Sequence, residues 1–326
     1  MPCAIPSTAH RLGPDAPAVT VTGTLELRAG AARVTLVPEV GAAIAAYDWN
    51  GEPVLRPTPD EALAAGDVRR FASYPLLPYC NRIAHARLHW NDAEYALPRY
   101  LAEVPHAIHG NGWRRRWSVV ERTPASAILE LVHTAAGEST REWPFAYRAR
   151  QTFALEGNAL ALTLSIANPG HAPFPFGLGW HPFFPRNAET RLGFAAAAVW
   201  HTDHTQLPTS CDPLPSAWNF EVPRVIAATT LDHCFAGWRP PATIAFPDRH
   251  LTVSISADEA CEYLVVFVPP DCDFLAVEPV THMTDAFNRA AAGAPGTGTR
   301  LLAPGATFSC TMRVCVSPGA NDAVAL

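Results

Sequence analysis

ALALTLSIAN, residues 159–168, alternates: Leu160, Leu162, Leu164 and Ile166 fall on one side, Ala161, Thr163, Ser165 and Ala167 on the other. Successive side chains of an extended strand point to opposite faces, so a period of two predicts a strand with one face in a core. HLTVSIS (250–256) repeats the pattern with Leu251, Val253 and Ile255. AARVTLVPEVG (31–41), SAILELVH (126–133), EYLVVFVPP (262–270) and FSCTMRVCVS (308–317) read as further strands. Most are bounded by Pro, Gly, Asn or Asp, which punctuate turns. The 32 prolines break almost every helical window. EALAAGDVRRF (61–71) and TDAFNRAAAG (284–293) leave room for a helical turn or two, and Gly66 limits the first. Many short strands without alternating helices predict an all-β chain folded as a large antiparallel β-sandwich.

No composition shift or internal repeat divides the 326 residues. The simplest organisation is one sandwich over 21–317, after a loose Pro- and Ala-rich lead-in (1–20) and before an unstructured tail (318–326). No apolar run approaches the ~18 residues of a membrane helix. The N-terminus has neither the basic nor the apolar region of a signal peptide. A cytoplasmic protein without a membrane partner is therefore expected. The net charge of -6 argues against a nucleic-acid partner. There is no lysine; all 24 basic side chains are arginine. Schiff-base chemistry, a pyridoxal phosphate site and a phosphate-loop lysine are thereby excluded. The eight cysteines include no C-x-x-C pair, which predicts reduced, mostly buried thiols. Cys80 or Cys234 beside a histidine leaves a thiol nucleophile open, without a motif to support it.

Polar groups stand out where their frame is apolar or stiffened by proline. FPFGLGWHPFFP (174–185) sets His181 between Trp180 and the run Pro182, Phe183, Phe184. FLAVEPVTHMTDAFN (274–288) sets Glu278 at the end of an apolar run, before Pro279. An imidazole and a carboxylate so framed suit a general acid and base. Asn81 and Arg82, His106 and His109, Asp232 and His282 occupy comparable contexts. Each has a structural alternative: an ion-pair partner for Arg82, a turn cap for His106 and His109, an Asx turn for Asp232, a strand end for Glu278. The basic run Arg114–Arg116 reads as a solvated loop or strand face.

Taken together, DWNGEPVLRP (48–57), PLLPYCNRI (75–83), HGNGWRRRW (109–117), HPFF (181–184), EPVTHMTDAFN (278–288) and LLAPGATFSCTMRV (301–314) are collinear blocks over most of the chain. In this order and spacing they resemble the aldose 1-epimerase (galactose mutarotase-like) family. The resemblance implies the large β-sandwich of that family, His181 as general acid and Glu278 as general base. It implies that Asn81, Arg82, His109 and Asp232 hold sugar hydroxyls, with no cofactor and no metal. At HGNGW and GWHPFFP the chain departs from the galactose-converting members, so an aldose is implied without naming galactose. A monomer or weak homodimer is expected.

Such chemistry opens a hemiacetal and closes it on the other face, with a base at the C1 hydroxyl and an acid at the ring oxygen. The expectation is that the two groups lie on opposite sides of the C1–O5 bond. His181 is then expected to be protonated near neutral pH, its pKa raised by a carboxylate, and Glu278 ionised with help from Arg82. Trp113, Trp180 and Phe183 offer stacking surfaces for a sugar's C–H face or plain core packing. Three rival readings remain. A hexose-phosphate enzyme would use Arg114–Arg116 as a clamp, although alternate strand residues point apart. A metal enzyme would use His106 and His109 with a distant carboxylate. A sugar-binding sensor would need no acid–base pair.

Overall fold

The computed structural model of the chain describes residue 21 and residues 23–319. The expected lead-in lies outside the described residues, as does most of the expected tail; the last strand runs to Pro318, one residue past the expected boundary.

Among the described residues the fold is a β-sandwich of two large antiparallel sheets with nine and eight strands. The strand Ala159–Ala167 lies inside the nine-stranded sheet, between Tyr147–Glu156 and Thr307–Pro318. Its Leu160, Leu162, Leu164 and Ile166 are buried while Thr163, Ser165 and Ala167 stay half-buried, as the alternation requires. Each such aliphatic side chain contributes roughly 1.5–3 kcal/mol on burial. Thr163 and Thr311 meet across the pair by their hydroxyls at 2.9 Å. The eight-stranded sheet includes Leu231–Ala236, Tyr263–Val268, Phe274–Val280, Gly179–Trp180 and Pro75–Leu76 in that spatial order. Phe183–Pro185 also pairs with Phe274–Val280. Phe194 of the nine-stranded sheet meets Phe235 of the other edge-to-face at 4.8 Å, which ties the layers together.

The two helical stretches are short, Asp60–Ala65 and Ala286–Ala291. The first stops at Gly66, whose φ of 62° is left-handed. Among the described residues no helix is long and apolar enough to cross a membrane.

Register decides which face of the eight-stranded sheet carries what. Residues directly opposite in an antiparallel pair point to the same face. Phe235 pairs with Leu264 and Leu264 with Pro279; this row faces the nine-stranded sheet. The neighbouring row, Val265 with Glu278, therefore faces outward. So does the row of Asp232, Phe267, Ala276 and Phe183.

Candidate active site

The register brings His181 to Glu278. Gly179 pairs with Val280 and Phe183 with Ala276, so the residue midway, His181, stands opposite Glu278. Its backbone N–H donates to the carbonyl of Tyr74 at 2.9 Å, which fixes the link between the two short strands. His181 Nε2 lies 3.3 Å from Glu278 Oε1. Both side chains are nearly buried and line a cavity of about 280 Å³. That is close to the lower limit of ~300 Å³ for small-molecule sites and suits a monosaccharide better than a larger ligand.

Asn81, Arg82, His109 and Asp232 line the same cavity. Asn81 and His109 both have left-handed backbone and lock together: the Asn81 N–H donates to His109 Nδ1 at 3.2 Å, and the His109 N–H to the Asn81 carbonyl at 2.9 Å. The Asn81 Oδ1 accepts from Arg82 Nη1 at 3.0 Å, and Arg82 Nη2 lies 3.9 Å from Asp232 Oδ2. Gly110 in HGNGW is obligatory, since a Cβ there would lie 2.1 Å from the Leu77 carbonyl oxygen.

One segment, 278–288, braces both halves of the site. Thr281 Oγ1 accepts the Leu178 N–H at 2.9 Å, just ahead of His181. His282 Nε2 accepts the Cys80 N–H at 3.0 Å, just ahead of Asn81. The Asp285 N–H donates to the Arg82 carbonyl, and Asp285 Oδ1 accepts the Ala84 N–H at 2.9 Å. Asn288 accepts the His89 N–H and donates to the Arg87 carbonyl. The "DAFN" end of the motif therefore holds the Arg82 strand in place and lies outside the cavity.

Burial governs the electrostatics. It pushes Glu278 well above the usual carboxylate range; the Asp232 charge adds to this and Arg82 opposes it. Burial pulls His181 down to about 3, helped by the Arg56 charge. His181 is thus not raised by its carboxylate partner, contrary to expectation, because desolvation of a ring enclosed by Tyr74, His109 and Phe183 outweighs the pairing. The 3.3 Å contact looks like an ion pair while both shifts favour neutral forms. These are tautomers with one shared proton, and we assign the resting site to the neutral one, since burial penalises both charges. His109 is pulled down by burial and by its neighbours His181 and Arg82. Burial raises Asp232 as well, against the pull of Arg82.

Other expected residues fall elsewhere. Trp113 is 1% exposed, packs against Tyr74 and His109, and donates from Nε1 to the Gly110 carbonyl; it backs the cavity wall instead of facing a sugar. Trp180 follows Pro279 onto the inner face, so of the three aromatic side chains only Phe183 lines the cavity. Asp232 is a strand residue, not a turn residue. His181 and Glu278, the expected acid and base, are neighbours and do not stand on opposite sides of a bond; a hemiacetal, whose two oxygens share one carbon, can meet both. His106 Nδ1 accepts the His85 N–H, so His106 and His109 do not converge, and the described residues hold no cluster of three metal-ligating side chains. Arg114 is buried over Tyr100 and Trp113, Arg115 pairs with Glu142 at 2.7 Å and Arg116 with Glu39 at 3.2 Å. The solvated reading therefore holds for Arg116 alone, Arg114 is buried and Arg115 half-buried, and none of the three lines this cavity. Cys80 and Cys234 are buried with raised thiol pKa values and do not line it. Cys3 lies outside the described residues.

Sequence reasoning missed Tyr74, Arg56 and Arg69, which line the cavity. Tyr74 directly precedes the block 75–83, but its place beside His181 comes from the pairing of Pro75–Leu76 with Gly179–Trp180. Arg69 carries no local signal, and the block 48–57 does not mark Arg56 as a cavity residue, since only the tertiary fold brings the loop of Arg56 and the turn of Arg69 to the cavity.

The family model for aldose 1-epimerases matches residues 23–315. Uncharacterized protein YphB of Escherichia coli K12 is 29% identical over 276 residues, 81% of this chain and 91% of its own. Uncharacterized protein YihR of the same strain is 28% identical over 275 residues, 81% and 86% of the two chains. A crystal structure from Escherichia coli K12 named for the same family superposes with a TM-score of 0.81 at 27% identity, covering 91% of this chain and 99% of that one. A galactose mutarotase-like protein of Clostridium acetobutylicum shares the fold with a TM-score of 0.80 at 19% identity, covering 90% and 95%.

Proposed function

Since the chain belongs to the aldose 1-epimerase family, we propose that it interconverts the α and β anomers of an aldose, with Glu278 as base and His181 as acid. The observation that carries this reading is the buried His181–Glu278 pair at 3.3 Å in a cavity of monosaccharide size.

The C1 hydroxyl and the ring oxygen are bonded to the same carbon, so one sugar edge meets both groups. Glu278 takes the C1 hydroxyl proton as His181 protonates the ring oxygen. The C1–O5 bond breaks and the C1 carbonyl forms. Rotation about C1–C2 presents the other face, and the two protons return along the same paths. Protons balance throughout: the shared proton first passes from Glu278 to His181 across the 3.3 Å contact, and ring opening then takes this imidazolium–carboxylate tautomer back to imidazole and carboxylic acid; ring closure reverses it. Burial makes Glu278 a stronger base and the protonated His181 a stronger acid. Both shifts favour the transfer that ring opening needs. Asn81, Arg82, His109 and Asp232 hold the remaining hydroxyls, with Arg82 oriented by Asn81 and Asp232.

Each positioned proton transfer is typically worth ~10²–10⁴ in rate. His181→Asn and Glu278→Gln should each lower polarimetric anomer exchange by about that factor while circular dichroism stays that of the wild type. A folded variant of either kind with near-wild-type rates on the best sugar would refute the assignment. Sugar binding by the wild type without any acceleration would point to a sensor instead.

A further inference from the structure

Arg56 lines the same cavity as the His181–Glu278 pair. Its guanidinium lies over the rings of Phe183 and Phe274, 4.1 and 4.3 Å from their centroids. Nη2 donates to the carbonyls of Arg69 and Phe71 at 3.3 and 3.2 Å. Nε is buried without a partner, and none of the ion pairs among the described residues includes Arg56. Guanidinium offers five donors, so most of this fork is unused. Burial pulls its pKa to about 10; the Asp273 charge opposes this from beyond ion-pair distance. Arg69, also on the cavity wall, is held by Asp67 through Nε at 2.8 Å and Nη2 at 3.1 Å.

A buried cation without a counter-ion is costly, and a ligand oxyanion offsets that cost with charge-assisted, bidentate bonds. The place of Arg56 specifies where on the sugar such a group sits. Arg56 stacks on Phe183, and Phe183 stacks on His181 at 4.4 Å. His181 serves the ring oxygen, and C6 hangs from the carbon bonded to that oxygen. Asp232 lies far from Phe183: in its row, three strand steps separate the two, roughly 14 Å at ~4.8 Å per step.

We infer that the substrate is an acidic aldose, with a carboxylate or phosphate at C6 received by Arg56. The inference rests on the mutarotase reading and deepens it. It assigns the phosphate-clamp role once considered for Arg114–Arg116 to a different arginine, and it extends that role to uronic acids.

The test is anomer exchange, followed by polarimetry and saturation-transfer NMR, on glucose, galactose, glucuronate, galacturonate and glucose 6-phosphate at constant ionic strength. At least one acidic sugar should exceed its neutral parent about tenfold or more in kcat/KM; which one does so distinguishes carboxylate from phosphate. Arg56→Gln should reduce that acidic-to-neutral ratio about tenfold, and Arg56→Lys should restore part of it. Neutral parents turned over as well as all the acidic sugars would overturn the inference and leave the mutarotase reading standing. Acceleration of no sugar would overturn both. The wild-type ratio needs no variant, so it decides the matter even if Arg56→Gln does not fold.

Discussion

His282 accepts the backbone N–H of Cys80 through Nε2 at 3.0 Å while its Nδ1 donates to the Met283 carbonyl at 2.6 Å. Both ring nitrogens are committed, so the ring must be neutral, and the bond to Cys80 assigns the tautomer. Burial pulls its pKa from 6.5 down to about 4. A depressed folded pKa contributes stability that is present above 6.5 and lost as pH falls through 6.5 towards 4. Urea denaturation should therefore show the wild type losing roughly 2 kcal/mol more than His282→Gln between pH 7 and pH 4.5. Equal losses in the two proteins would mean that His282 titrates normally.

The same histidine occupies the space above Gly177. A Cβ at Gly177 would lie 1.9 Å from His282 Cδ2 and 2.2 Å from Nε2. Gly177→Ala must push the ring away from Cys80, and overpacking of this kind costs ~1–3 kcal/mol. The variant should unfold at lower urea and exchange anomers more slowly, because the Cys80–Arg82 segment shifts with the ring. Unfolding midpoint and rate both at wild-type values would contradict the placement of His282.

What the sequence reveals about this molecule depends on range. The alternation in 159–168 identifies a strand because period two is a local property, and the strand lies where both its partners bury Leu160 to Ile166. His181 and Glu278 were legible from their aromatic and proline frames. Their contact was not, because it depends on a register between segments almost a hundred residues apart. Trp113 was ambiguous for a similar reason: an aromatic ring reads alike whether it faces a ligand or backs a wall. The expected rise in the His181 pKa failed because sequence shows a charged partner but not the burial that opposes it. Arg56 lies in a recognisable block, yet only its neighbours Phe183 and Phe274, far along the chain, give it a place in the cavity.

Asp285 and Asn288 hold the Arg82 strand without touching the cavity. Asp285→Ala removes an acceptor from both the Ala84 N–H and Asn288 Nδ2, at 2.9 and 2.8 Å. A stability loss of ~1–3 kcal/mol is expected from the orphaned donors. KM should rise several-fold with a smaller change in kcat, because His181 and Glu278 are braced by other bonds. The double variant with Asn288→Ala should lose less than the sum of the single losses, since the two side chains share a bond. A fall in kcat alone, with KM unchanged, would place these residues in the chemistry and not in positioning.

The pH profile of kcat/KM reports the free enzyme. Activity needs the His181–Glu278 pair to hold a single shared proton. A second proton is resisted by the burial that pulls His181 down to about 3, so the acid limb moves far below the ordinary histidine value of 6.5. Removal of the shared proton is resisted by the burial that raises Glu278, so the plateau also extends upward from the ordinary carboxylate range. Rates corrected for buffer catalysis should stay level as pH falls from neutral to pH 5. A sigmoidal fall with its midpoint near 6.5 would show instead that His181 titrates as an exposed imidazole, with its proton independent of Glu278.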